Sequence, residues 1–133
     1  MTKTADPDLD LYVNAVLGKK SFNVVALDVA ELTSFADIFI ICSGRSNRQV
    51  GAIAEHIKTD LKKHNIKPLS VEGSQDGHWI LLDYGHIIIH VFYEPMREFY
   101  DLEGLWVDAK RLETPALKKA AAQPRPAQKT ADL

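Results

Sequence analysis

At 133 residues the chain is long enough for one domain with a real core, and its apolar (46%) and charged (26%) fractions are those of an ordinary soluble protein. No apolar run approaches the roughly 20 residues a membrane span needs, and the acidic start MTKTADPDLDLY lacks the basic n-region of a signal or transit peptide. A single cysteine, Cys42, excludes an internal disulfide and fits a reducing cytoplasm, the expected location.

The formal net charge of −2 hides an asymmetry. Residues 114–133 carry four bases and one acid, whereas the other 113 residues carry 12 bases and 17 acids. The body is acidic and the tail basic. An acidic body disfavours direct contact with nucleic-acid phosphates and suits a basic protein partner.

In chain order, Asp6-Pro7 reads as a helix N-cap with proline at the first helical position. Leu9, Tyr12, Val13 and Val16 recur at helical spacing, and Gly18 ends the helix. The run Phe22–Val29 is rich in branched residues and predicts a strand. After the polar break at Thr33-Ser34, Asp37–Cys42 predicts a second, more buried strand with Cys42 as a small core residue.

Ser43-Gly44-Arg45-Ser46 leads into the longest helix, where Ser46 and Gln49 match the S-x-x-Q capping box. Val50, Ile53, Ala54, Ile57 and Leu61 form its apolar stripe; Lys58, Lys62, Lys63 and His64 suit its C-terminal dipole end. Glycine inside a helix costs about 1 kcal/mol relative to alanine, so Gly51 predicts close approach of a strand or a partner.

Pro68–Glu72 predicts a short edge strand, because proline cannot donate to a ladder, and residues 73–77 a loop. The stretch from Gly77 to Trp106 organises the rest. It reads as two apolar strands joined at Tyr84-Gly85, followed by a helix opened by Glu94-Pro95. That helix places Met96, Phe99, Leu102 and Leu105/Trp106 on its apolar side. Residues 1–113 thus form one domain, and 114–133, rich in Ala, Pro, Lys and Gln, are expected to be disordered and dispensable for stability. The fold class is α/β, a mixed five-stranded sheet flanked by helices in the order α-β-β-α-β-β-β-α.

No G-x-S-x-G, P-loop or G-x-G-x-x-G is present. His86 and His90 would lie about 13 Å apart along a strand, too far to share a metal. Ser43-Gly44 before a helix is similar to the phosphate-gripping turn of nucleotidyltransferases, but no Asp-x-Asp or Asp-x-Glu pair follows to hold magnesium. No catalytic residue, metal or cofactor is therefore assigned. On the strand, Trp79, Leu81 and Asp83 alternate with Ile80, Leu82 and Tyr84. A carboxylate is costly to bury, so the Ile80 set faces the helices. Trp79, Leu81 and Asp83 face outward as a partner surface, joined by Tyr93 and Glu94. The competing reading has Trp79 merely covering the hairpin mouth.

Ordered blocks carry a family resemblance: Asp37–Ile40, Ser43–Val50 with Ala52–Ala54, Val71–Gly73, Trp79–Gly85, His90–Phe92, Arg97–Tyr100 and Leu102–Trp106. Over roughly Leu9 to Trp106 the chain resembles the ribosomal silencing factor (Iojap-related) family. It departs at His86, where the family usually has Asp, and the basic tail lies outside the family pattern. The resemblance implies a fold related to nucleotidyltransferases without catalytic carboxylates. It also implies a non-enzymatic translational repressor that binds ribosomal protein fourteen of the large subunit and blocks small-subunit joining when nutrients are short. Nucleic-acid contact would then be peripheral, no membrane is involved, and homodimerisation through the same strand surface is expected. The alternatives are a divergent nucleotidyltransferase-like enzyme and direct RNA binding through Lys58, Lys62, Lys63 and the tail.

Overall fold

The computed structural model describes residues 8–122. In order these form α1 (Leu9–Leu17), β1 (Phe22–Asp28), β2 (Ile38–Gly44), α2 (Asn47–Lys62), β3 (Ser70–Glu72), β4 (Trp79–Asp83), β5 (Ile87–Tyr93), α3 (Glu94–Tyr100), α4 (Leu102–Leu105), β6 (Lys110–Arg111) and α5 (Pro115–Ala122). The strands make one mixed sheet in the order β3-β4-β5-β2-β1-β6. β2 and β5 pair in parallel, and the other neighbours are antiparallel. The sheet therefore has six strands among the described residues, not five. The extra one, β6, is two residues long and too short to show a period of two.

β5 sits inside the sheet because Ile87–Phe92 offers apolar side chains to both faces, and all six are buried. Its hairpin with β4 turns at Gly85, whose φ of 94° suits glycine. Asp83 Oδ1 closes the turn by accepting from the Gly85 N–H at 2.8 Å.

Alternation along the strands sends side chains to two cores. On one face Ile40, Cys42, Ile80, Leu82, Ile89 and Val91 pack against α1 and α2. The stripe expected of α2 (Val50, Ile53, Ala54, Ile57, Leu61) is buried there, and Ser46 Oγ accepts from the Gln49 N–H at 3.1 Å as its cap. Burial pushes the Cys42 thiol up to about 12, consistent with a packing role. On the other face Leu27, Phe39, Ile41, Ile88 and Phe92 form the second core, closed in part by Leu102, Met96 and Trp106.

Three expectations are corrected. The tail does not lose structure at residue 113: α5 runs to Ala122, Leu117 is buried in the helix-side core, and Thr114 Oγ1 caps the helix by accepting from the Leu117 N–H at 3.1 Å. One leucine at the right place, beside small alanines, suffices to dock a short helix that composition hides. Among the described residues no close approach requires Gly51, since an added Cβ there would meet nothing within 4 Å. The helix after β5 is broken at Asp101, in the left-handed region at φ 48° and ψ 53°. The expected cap at Asp6-Pro7, like residues 123–133, lies outside the described residues.

Candidate functional site: an aromatic face held by a buried arginine

The break at Asp101 decides which aromatics reach the surface. A continuous helix would have carried Met96, Phe99, Leu102 and Leu105 down one side. With α3 and α4 set at an angle, Leu102 is buried and Met96 packs on the second core, while Phe99 and Leu105 are 75% and 77% exposed. Tyr100 and Val107 are exposed as well, and Phe35 joins them from the loop between β1 and β2. This is a large apolar display for a chain of this size.

The display rests on a seam of stacked rings. Trp79 stacks on Phe92 with centroids 4.7 Å apart and meets Tyr100 at 4.9 Å. His90 meets Phe39 at 4.9 Å, Phe39 meets Trp106 at 5.1 Å, and Trp106 meets Phe35 at 6.4 Å. Trp79 Nε1–H also donates to His90 Nδ1 at 3.1 Å. Burial alone holds the His90 imidazolium off, lowering its pKa to about 3.

Arg97, buried at 7% exposure, pins α3 and α4 to the sheet. Its Nη1 donates to the Asn23 carbonyl at 2.6 Å and to Ser43 Oγ at 2.7 Å. Its Nε and Nη2 grip Glu103 Oε1 and Oε2, each at 2.9 Å. The hydrogen bond from Arg97 holds the Glu103 carboxyl below its ordinary range, against the opposing effect of burial. The Asn23 carbonyl is available because β1 carries a bulge between Phe22 and Val25, with Asn23 at φ 52°.

The five residues assigned to a partner surface do not all meet. Trp79, Leu81 and Asp83 share the aromatic face, each half-buried, opposite Phe92, His90 and Ile88 of β5. Asp83 is partly committed to the hairpin turn. Tyr93 lies on the opposite face, packed against the helix-side core, because it is one residue out of phase with Phe92. Glu94 opens α3, and its Oε2 accepts from Asn23 Nδ2 at 3.4 Å. Neither joins Trp79. The residues missed from sequence (Phe35, Tyr100, Phe99, Leu105, Val107) left one signal, apolar side chains in segments too short to bury them.

The three histidines also separate. His90 is buried against the Phe39 and Phe92 rings of the second core, His86 meets the Tyr12 ring at 5.8 Å on the helix side, and His78 is exposed. Among the described residues no group of three His, Cys, Asp or Glu could hold a metal ion. Beside Ser43, at the turn similar to that of nucleotidyltransferases, stands the guanidinium of Arg97 rather than a pair of free carboxylates. Among the described residues no helix is long and apolar enough to cross a membrane.

Comparison with known proteins places this geometry. The chain is 42% identical over 105 residues to the ribosomal silencing factor of Halalkalibacterium halodurans, covering 79% of this chain and 90% of that protein. It is 40% identical over 91 residues to that of Bacillus subtilis, covering 68% and 77%. The chloroplast protein Iojap of Zea mays is 30% identical over 120 residues, with 86% and 52% covered. A crystal structure from Chromobacterium violaceum superposes with a TM-score of 0.72 at 32% identity, covering 80% of this chain and 88% of that one. Another, from Bacillus halodurans, gives 0.71 at 39% identity, with 80% and 96% covered. The family model described as "Ribosomal silencing factor during starvation" matches residues 2–133, so the basic tail lies within the family's extent: the chain belongs to the ribosomal silencing factor family.

Proposed function

We propose that the protein is a non-enzymatic, cytoplasmic repressor of translation that seats its aromatic face on ribosomal protein fourteen of the large subunit and thereby blocks joining of the small subunit. The observation that carries this reading is the half-covered second face of the sheet, where Trp79 meets Tyr100, Tyr100 meets the exposed Phe99, and the exposed Phe35 meets Trp106, whose chain neighbours Leu105 and Val107 are exposed as well. Aromatic anchors surrounded by apolar neighbours are the composition of binding hot spots. The acidic body favours a basic ribosomal protein over bare phosphates. The same apolar face is free to close on a second copy away from the ribosome, giving a homodimer that competes with the bound form.

The test uses purified subunits. The protein should co-sediment with the large subunit, lower the yield of joined ribosomes in a dose-dependent way, and lose both effects together when Phe99 and Leu105 are replaced by serine. Joining that proceeds unaffected at saturating protein would defeat the proposal. Co-sedimentation with the small subunit alone would redirect it.

A further inference from the structure

The elbow between α3 and α4 sets where the exposed apolar side chains stand. Phe99 and Tyr100 close α3, Leu105 closes α4, and Asp101 alone separates the two helices. Of the four residues of α4 only Leu102 is buried. One buried side chain fixes how deep so short a helix sits but leaves its direction to other contacts. Those contacts are polar, and they converge on Asp101. Its N–H donates to the Arg97 carbonyl at 2.8 Å, which ends α3. Its own carbonyl accepts from the Gly104 and Leu105 N–H groups at 3.0 and 3.3 Å, which opens α4. Its Oδ1 accepts from the same Gly104 N–H at 3.2 Å. These bonds hold Asp101 at φ 48° and ψ 53°, a left-handed backbone that only Gly, Asn and Asp visit readily.

Gly104 completes the lock. It is not among the glycines with positive φ, so its backbone conformation does not call for glycine. The Asp101 carboxylate does, because it fills the space that a Cβ at 104 would need. Asp101 and Gly104 are therefore matched to each other, although both are exposed and belong to neither core. A turn alone would bury Leu102. The interlock adds a fixed angle, and with it a fixed spacing between Phe99 and Leu105, both three-quarters exposed.

We infer that Asp101 is a positioning residue for the partner: its left-handed backbone and its carboxylate, set against Gly104, hold Phe99 and Leu105 at the spacing the ribosomal surface receives. Asp101 acts here through shape. An exposed acid beside an apolar binding face could instead meet a basic partner through its charge, and the two roles respond oppositely to substitution. The positioning role rests on the ribosome proposal.

The experiment compares Asp101→Asn, Asp101→Glu and Gly104→Ala with wild type in two measurements on the full chain. One is co-sedimentation with purified large subunits over a range of salt. The other is hydrogen exchange of the Gly104 and Leu105 amides in the free protein, at a temperature where each variant is folded. Asparagine tolerates the left-handed region and keeps the acceptor while losing the charge; glutamate keeps the charge and loses the conformation and the short cap. Asp101→Asn should bind within about twofold of wild type and keep both amides protected. Asp101→Glu and Gly104→Ala should each weaken binding by about fivefold, the equivalent of one helix cap, and speed exchange at both amides. Weak binding by Asp101→Asn with full binding by Asp101→Glu would show a charge contact and overturn the positioning role, as would wild-type affinity in Gly104→Ala. Failure of the wild type to bind overturns the ribosome proposal and, with it, the partner named here. Exchange still decides whether Asp101 and Gly104 lock the elbow, and unaltered protection in Asp101→Glu and Gly104→Ala overturns that lock.

Discussion

Trp79 and His90 are diagonal neighbours across the β4–β5 pairing, on the same face of the sheet, and the indole N–H donates to His90 Nδ1 at 3.1 Å. This bond fixes the tautomer. With Nδ1 as acceptor, the proton of the neutral ring sits on Nε2, which is buried without a partner. Protonating Nδ1 would turn the acceptor into a second donor facing a donor, so the bond survives only while the imidazole is neutral.

That arrangement gives a pH prediction. The folded pKa of about 3 lies below the ordinary 6.5, so between these values the unfolded chain binds more protons. The contribution is complete above about pH 6.5 and declines as pH falls toward 3. At pH 4.5 it should amount to a loss of roughly 2–3 kcal/mol. Denaturant midpoints at pH 7.5 and 4.5 should therefore separate less in His90→Phe than in wild type. Parallel pH profiles for the two proteins would mean that His90 is not held neutral.

Arg97 is the second buried centre. Replacing it with methionine keeps the volume but strands Glu103 and removes the donors to Ser43 and Asn23, so a loss of about 3–5 kcal/mol is expected. The Glu103 carboxyl should at the same time move up toward its ordinary range, visible as a shifted NMR titration. Arg97→Lys should recover only part of the stability, because an ammonium cannot fill the two-pronged contact. Full recovery by lysine would show that charge alone matters there.

How much of this was readable from the chain depended on element length. α2 and β5 announce themselves because many residues repeat one pattern, and their stripes are buried where the pattern puts them. β6 and the α3–α4 break involve two residues and one residue, below the length over which a period can be counted. The partner surface divided for the same reason. Trp79, Leu81 and Asp83 belong to one strand whose alternation is reliable, whereas Tyr93 and Glu94 lie across a strand end, where a shift of one residue changes the face. Arg97 left no local sign of its burial, since its partners at Asn23 and Ser43 are 74 and 54 residues away.

Gly51 offers a gain rather than a loss. It lies within α2, and an added methyl would touch nothing within 4 Å. Gly51→Ala should raise stability by about 1 kcal/mol through helix propensity and a less flexible unfolded chain. A lower denaturant midpoint would point to a constraint that the described residues do not show.

The C-terminal helix carries a prediction opposite to the one its composition suggests. Leu117, 7% exposed, belongs to the helix-side core, and α5 contacts α1. Deleting residues 114–133 should cost roughly 2–3 kcal/mol, the burial of one leucine plus smaller contacts. Leu117→Ala alone should account for most of it. A truncated protein melting at the wild-type temperature would show that α5 docks without energetic consequence.

The aromatic face yields the prediction that bears most directly on function, and its geometry determines which residues are fit to test it. Trp79 is a poor probe by itself. Its ring packs on Phe92 and Tyr100 and its N–H holds His90, so Trp79→Ala should destabilise the fold by about 3–5 kcal/mol while also weakening binding. Phe99 and Leu105 are three-quarters exposed, and their truncation removes contact area without opening the core. Phe99→Ala and Leu105→Ala should leave the melting temperature within about a degree or two, since exposed positions contribute within roughly 0.5 kcal/mol. Each should nevertheless weaken binding to large subunits by roughly 1–3 kcal/mol. Trp79→Phe completes the set, retaining the stacked ring and losing only the bond to His90. It should bind ribosomes nearly as well as wild type while melting earlier. Should both exposed variants bind large subunits with wild-type affinity, the face carries no contact, and the partner must be sought on the helix side of the sheet.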